Sequence, residues 1–294
     1  MYEVVTDYLK DVSVSDMLIK PDETSPSDVW STIITDDKVL GQDIFDALWK
    51  HKSVFSSSLP AEGAVMDEFT LKLLPNADMN LTKQTYYNKK ITKEVEDGIE
   101  ALLAQHIVRP SSSSVCSPLV IVAKPDGTIR MCVNYVQINK LTESLSAIPP
   151  NIQQIHANLR GQKLYAVGDL RQGFHQAVVA ESSSYLTAFR SSKGLYEFNR
   201  LPFGLKNAPG WFQVQMNNIL APYIGTCCFV FIDDLIIFGD SKKSFLNAIH
   251  MVMDCLDRHR LRLKLSKCKF GVTEVKFLGH IVSSSGIRMD EQRL

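Results

Sequence analysis

No CxxC pair occurs among the six cysteines, Cys116, Cys132, Cys227, Cys228, Cys255 and Cys268. Their wide, irregular spacing indicates neither a disulfide framework nor a zinc module, and fits a reducing, intracellular setting, cytoplasmic or nuclear. Long apolar runs are missing as well. No stretch of eighteen residues is uncharged and apolar, and the opening MYEVVTDYLKDVSVSD places acids where a secretory leader has bases. These absences predict a soluble protein with no membrane partner. Fixed-period repeats and low-complexity tracts are absent too. Net charge is zero, with 32 Lys+Arg against 32 Asp+Glu, which taken whole argues against a polyanion partner.

The 294 residues are 45% hydrophobic, enough to fill one large core or two modest ones. The zero balance conceals an asymmetry. Residues 1–70 hold 14 Asp+Glu and 5 Lys+Arg, net −9, and the remainder holds 18 acids and 27 bases, net +9. A basic remainder of that size suits a module that grips phosphates, and equally suits two solvated faces.

Residues 1 to about 60 carry one short helical pattern, QDIFDALWKHKSVF, between polar stretches, and read as an accessory or linker region. Further on, ITKEVEDGIEALLAQHIV has Val95, Ile99, Leu102 and Leu103 at amphipathic-helix spacing. CSPLVIVAKPDGTIRMCVNY reads as a hairpin turning at Pro125-Asp126-Gly127, with Lys124 at one shoulder and Arg130 on the returning strand. KLYAVGDLRQGFHQAVVA is a strand entering a turn or short helix, and AFRSSKGLYEFNRLPFGL holds two more β-rich runs around Lys193-Gly194. NAPGWFQVQMNNILAPYI and SFLNAIHMVMDCLDRHR are helical, and RLRLKLSKCKF predicts a strand with one cationic face. Hairpins and helices without regular alternation define an α+β class.

FVFIDDLIIF sets Asp233 and Asp234 side by side between two apolar strands. A two-residue hairpin turn prefers Asn-Gly or Asp-Gly, so the pair is not there to make the turn easy. Two carboxylates in a partly desolvated site repel unless one is protonated or a cation lies between them. Magnesium, a hard ion with oxygen ligands, suits them; oxygens standing free in water at a surface hairpin are the other reading. Asp169 also follows an apolar strand, LYAVG, at a turn. Three carboxylates at strand ends can hold two metal ions roughly 3.5–4 Å apart for in-line phosphoryl displacement.

Five motifs in order, KPDGTIRMCVNY, GDLRQGFHQ, LPFGLKNAPGWFQ, FIDDLIIF and FLGHIVSSSGI, make this chain resemble a reverse transcriptase of the gypsy-type long-terminal-repeat retrotransposons. The resemblance runs from about Tyr86 to Leu294, and more weakly covers HKSVFSSSLP upstream. It implies a right-hand polymerase: an acidic extension or spacer over 1–84 and a polymerase domain over 85–294. Within the latter, fingers fall at about 85–165 and 180–200, palm at about 140–180 and 200–270, and the primer grip and start of the thumb at about 271–294. The implied reaction is RNA-directed DNA synthesis, adding deoxynucleotides to a primer 3′-hydroxyl with two Mg²⁺ ions.

By the same resemblance Asp169, Asp233 and Asp234 are catalytic and hold the metals, with the backbone carbonyl of Leu170 as a further ligand. Lys124 and Arg130 contact the incoming triphosphate. Phe174 closes the pocket against a ribose 2′-hydroxyl, Phe203 and Gly204 lie beneath base and template, and Phe277, Leu278 and Gly279 form the primer grip. His175 and Gln176 do not make an acid–base pair, since metal-assisted phosphoryl transfer needs none. The implied partners are an RNA or DNA template with its primer and deoxynucleoside triphosphates. An oligomer is allowed, as is fusion to protease, ribonuclease H and integrase in a longer polyprotein, of which this chain is expected to be a fragment or truncated copy.

One departure stands out. Asn134-Tyr135-Val136 replaces the family's Asp-Tyr-Arg, removing a carboxylate and a cation together. The alternative expectation is therefore a catalytically impaired or domesticated nucleic-acid-binding remnant. A two-metal nuclease uses the same carboxylates, but has no use for the Lys124/Arg130 hairpin or for a sugar-reading ring.

Overall fold

A computed structural model gives the fold, describing residues 34–35, 37–77, 89–123, 129–146 and 152–289. Helix α1 (Lys38–Trp49) and a 3-10 turn (Lys52–Phe55) come first, followed by helix α2 (Lys89–Ala104) and strands β1 (Val108–Pro110), β2 (Leu119–Ala123) and β3 (Ile129–Val133). Helices α3 (Val136–Leu141) and α4 (Ile152–Leu159), strand β4 (Leu164–Asp169), a 3-10 turn (Gly173–Gln176) and helix α5 (Glu181–Ser184) continue the chain. Strands β5 (Phe189–Arg190) and β6 (Leu195–Phe198), helix α6 (Ala208–Leu220), strands β7 (Cys228–Phe231) and β8 (Asp234–Gly239) and helix α7 (Lys242–Arg258) come next. Strands β9 (Lys269–Val272), β10 (Glu274–Phe277), β11 (His280–Ser283) and β12 (Gly286–Met289) close it.

The chain divides into two compact units. The first takes the described parts of Leu59–Ser146 and Phe174–Trp211. Here the apolar face of α2, with Val95, Ile99 and Leu102, packs with Ile107, Val108, Leu119, Met131, Phe189 and Phe198. The face arises because these helical residues recur every three or four positions. Sheet order is β1-β6-β5, and β2 and β3 form the expected antiparallel hairpin, in register from Leu119↔Val133 to Ala123↔Ile129. The turn expected at 125–127 and Lys124 lie outside the described residues.

The second unit takes the described parts of Pro21–Ser58, Ala147–Gly173 and Phe212–Leu294. Its main sheet, β7-β8-β4-β9, is antiparallel throughout. Helix α7 starts in a Ser241/Ser244 capping box, which satisfies amide groups that a helix start otherwise leaves open. It then buries Phe245, Ala248, Ile249, Val252 and Met253 and packs against β8 and α1. Gly239 permits the approach, because a Cβ there would stand 2.6 Å from the Phe245 nitrogen. Helix α1 is capped by Asp37, whose carboxylate accepts from the amides of Val39 and Leu40 at 3.0 Å. It buries Leu40, Ile44, Ala47 and Leu48, so the described part of the stretch read as accessory supplies core side chains. A second sheet, β10-β11-β12, joins a cluster with Leu159, Tyr165, Phe229, Ile236, Phe238, Val275 and Phe277.

The cationic strand expected over Arg260–Lys269 is not continuous. Leu261, Leu263 and Leu265 are buried as their alternation predicts. The backbone between them, however, serves two neighbours: the Leu263 amide donates to the Val54 carbonyl at 2.7 Å and the Lys264 amide to the Asp169 carbonyl at 2.8 Å. A 3-10 turn, Leu265–Lys267, follows, and β9 begins only at Lys269. All six cysteines are free. Among the described residues no helix is long and apolar enough to cross a membrane.

Candidate active site

The antiparallel register of β4 and β8 sets Asp169 directly opposite Asp234. Pairing of Phe231 with Asp234 leaves Ile232 and Asp233 as the two turn residues between β7 and β8, so all three carboxylates leave one end of one sheet. The turn is an unfavourable one. Ile232 has φ +57, a left-handed conformation in which a β-branched residue is strained. Buried Gln213 on α6 compensates: its Oε1 accepts the Ile232 amide at 2.7 Å, while its Nε2 donates to the Val230 carbonyl at 3.1 Å and to Asn217 Oδ1 at 2.8 Å. The Leu170 amide donates to the Asp233 carbonyl at 2.8 Å. Gly173 lets the backbone come close to Asp233, since a Cβ there would stand 3.2 Å from that of Asp233. Sequence reading missed Gln213. Its only mark was a glutamine among the large apolar residues of WFQVQM.

Burial, then the neighbouring charges of Asp234 and Asp169, push the Asp233 carboxyl up to about 7. Its Oδ1 is buried and has no hydrogen-bond partner. Lys267 Nζ stands 2.9 Å from Asp169 Oδ2 and supplies local positive charge. Among the described residues no group of three or more His, Cys, Asp or Glu side chains is already gathered to hold a metal; Asp169 is engaged by Lys267 instead. The donor chemistry nonetheless fits a hard divalent cation. It is all oxygen, and a buried, unpartnered carboxylate oxygen repelled by two more carboxylates is the group such an ion would satisfy.

In the first unit the structure brings together Phe174, Phe203 and Gly204. The two rings lie 4.9 Å apart, centroid to centroid. Gly204 has φ +94, and its missing Cβ would stand 3.4 Å from both the Tyr135 ring and the Val133 carbonyl oxygen. Asn139, also missed in the sequence, donates to the Gly204 carbonyl at 2.8 Å and accepts the Lys206 amide at 2.8 Å. Arg130 pairs with Val122 on the hairpin, and its side chain lies outside the described residues. Asn134 Oδ1 accepts the Val136 amide at 3.0 Å, a bond an aspartate could equally make, and Val136 is exposed. The replacement of Asp-Tyr-Arg therefore strands no buried charge at these two positions.

Phe277, Leu278 and Gly279 sit in the second unit at the β10–β11 turn, where Phe277 pairs with His280. Leu278 and Gly279 have φ +49 and +76, the signs of the hairpin turn that matches strand twist. His280 Nδ1 donates to the Leu278 carbonyl at 3.0 Å.

An antiparallel sheet flanked by helices, with three carboxylates grouped at one sheet end, defines an α+β fold with an acidic site at the sheet's edge. The profile of the family "Reverse transcriptase (RNA-dependent DNA polymerase)" matches residues 122–282, and the chain belongs to that family. It is 37% identical over 243 residues to the retrovirus-related Pol polyprotein from transposon opus of Drosophila melanogaster, covering 81% of this chain and 24% of that polyprotein. To the Pol polyprotein from transposon gypsy of the same organism it is 34% identical over 206 residues, 68% of this chain and 20% of the other. The chain thus spans about a third or less of the length of the curated relatives it matches. A foamy viral protease-reverse transcriptase solved in complex with an RNA/DNA hybrid shares its fold with TM-score 0.79 at 22% identity, over 93% of this chain and 38% of that one. The polymerase-like α+β fold and the gypsy-type kinship expected from the motifs are both borne out. Reverse transcriptases generally use divalent metal ions.

Proposed function

We propose that the chain is the polymerase portion of a retrotransposon Pol protein and adds deoxynucleotides to the 3′-hydroxyl of a primer paired with an RNA or DNA template. The observation that carries this reading is the register that sets Asp169 against Asp234, with Asp233 in the intervening turn and its Oδ1 buried and unpartnered. Asp169, Asp233, Asp234 and the Leu170 carbonyl would hold two Mg²⁺ ions, which when bound lower the pKa of the primer hydroxyl and take up charge on the departing pyrophosphate. Gln213 keeps the strained turn in place, so Asp233 is aimed before substrate arrives. Lys267 balances Asp169 while no other cation does. In the first unit, taken as the fingers side, Lys124 and Arg130 contact the triphosphate, the Phe174 ring excludes a 2′-hydroxyl, and Phe203 with Gly204 supports base and template. In the second, taken as palm, the Phe277–Gly279 turn steadies the primer end. Kinship with polyproteins supports synthesis as part of a longer chain bearing protease, ribonuclease H and integrase.

The test is primer extension on homopolymer RNA with an oligodeoxynucleotide primer. Magnesium-dependent incorporation that Asp233→Asn abolishes is the expected result. Primer–template binding by the unmodified chain with no incorporation would instead favour a binding remnant. Nucleotide release without any need for triphosphates would favour a nuclease.

A further inference from the structure

We propose that His175 is a positioning residue for sugar selection, a buried imidazole that ties the segment bearing Phe174 to the Leu201–Gly204 loop. The inference rests on the polymerase reading above, and concerns the first unit alone.

Two consecutive stretches of that unit are cross-tied residue by residue. The Phe174 ring leans on Phe203, His175 Nδ1 lies 3.2 Å from the Leu201 carbonyl oxygen, the Leu201 amide donates to the Ala177 carbonyl at 3.0 Å, and the Gln176 carbonyl accepts from Arg200 Nη1 at 3.4 Å. A carbonyl oxygen only accepts, so Nδ1 carries the proton and Nε2 holds a lone pair. That Nε2 is buried with no hydrogen-bond partner. The imidazole is 1% exposed, stacks on Phe198 at 6.2 Å and meets Phe203 edge-on at 5.2 Å. Burial, aided by the Arg200 charge, holds it down at about 4, which keeps the ring in one uncharged form near neutral pH.

A purely space-filling role does not call for histidine. Phenylalanine would fill much the same volume without burying an unpartnered nitrogen. The nitrogen that is bonded therefore explains the choice, and it is bonded to the first residue of the loop. Other anchors fix the loop elsewhere. The buried Arg200 guanidinium donates to the Pro60 and Ala61 carbonyls at 2.7 and 2.6 Å, and Asn139 holds the Gly204 carbonyl. His175 is at once the chain neighbour of Phe174, a ring contact of Phe203 and a hydrogen-bond partner of Leu201. Without the tether, Phe203 is held less closely against Phe174, since the remaining anchors among the described residues fix the loop only at Leu201's amide and at Gly204.

Two variants separate tether from ring. His175→Phe keeps an aromatic ring and loses the donor, whereas His175→Asn keeps a donor near the Nδ1 position and loses the ring. Steady-state incorporation of dNTPs and rNTPs should show the ribonucleotide-to-deoxynucleotide ratio rising about tenfold in His175→Phe, mainly through a lower KM for the ribonucleotide. Phe174→Ala sets the upper limit of that rise, and His175→Asn should restore the ratio to within about threefold of the unmodified chain. Unchanged discrimination in His175→Phe, or loss in His175→Asn alone, overturns the proposal. Long-range ¹H–¹⁵N spectra of the full chain give a readout independent of catalysis and of whether the variants fold: His175 should be the Nδ1–H tautomer, and the Nε2–H tautomer overturns the tether. Absence of any incorporation by the unmodified chain would count against the polymerase reading and leave the tautomer to decide.

Discussion

Two titratable side chains, half-buried Asp233 in the second unit and fully buried His175 in the first, oppose each other in how stability depends on pH. Asp233 has its pKa raised from 3.8 to about 7 by burial and by its two carboxylate neighbours. Between those values the unfolded side chain is ionised while the folded one keeps its proton. Its contribution to stability is thus fully present below 3.8 and is lost as pH rises through about 7. His175 runs the other way: its pKa falls from 6.5 to about 4 by burial, so its contribution is present above 6.5 and is lost as pH falls through about 4. Each slope approaches about 1.4 kcal/mol per pH unit inside its window. From about pH 4 to 6.5 they offset each other. In a chelator-containing buffer, Asp233→Asn should leave urea stability rising with pH over that window, and His175→Phe should leave it falling. Identical pH profiles for both variants would mean that the two groups are not buried as described. If the units unfold separately, each slope will appear in its own transition.

At the scale of the element, the hairpin β7–β8 depends on a helix residue to hold its turn. The Ile232 amide and the Val230 carbonyl both bond to Gln213, and removing one partner of a buried hydrogen bond costs about 1–3 kcal/mol. Gln213→Leu keeps the volume and removes both bonds. It should lower stability by about that amount and lower kcat for incorporation at least about tenfold, with a smaller change in KM, because the side chain acts through Asp233 and not on substrate. Wild-type kcat in a measurably destabilised Gln213→Leu would show that the turn keeps its shape without the amide. The strands around the aspartate pair were legible in the sequence, since FVFI and LIIF are dense in β-branched and aromatic residues. Long helices were legible from their apolar spacing. What could not be read was register: nothing local to LYAVGD says that Asp169 will face Asp234, because pairing is settled by the whole sheet. Gln213, Asn139 and His175 stayed obscure for the same reason, as each bonds a backbone group far away in sequence. In RLRLKLSKCKF the alternation correctly told which leucines are buried, but not that neighbouring amides serve two different partners.

Over the whole molecule, the acidic and basic shares of the chain pose a question of binding, and burial shows where it can be tested. Residues 1–33 carry seven acids and two bases, net −5. The next stretch cannot be cut away freely: Ile44, Leu48 and Val54 are fully buried in the second unit and Phe69 is nearly so in the first. Removing a single such side chain typically costs about 2–5 kcal/mol, so truncation beyond α1 should unfold the second unit. Deleting residues 1–33 is the cleaner change. If this acidic segment competes with phosphates for basic surface, its removal should tighten primer–template binding several-fold at about 50 mM salt, with the gain shrinking toward about 200 mM as counterions screen both interactions. Fluorescence anisotropy with a labelled primer–template measures both points, and circular dichroism confirms that the shortened chain is folded. A shortened, folded chain that binds no more tightly than the full one at low salt rules out masking, because removing a net charge of −5 that competes with phosphates must strengthen binding where screening is weakest.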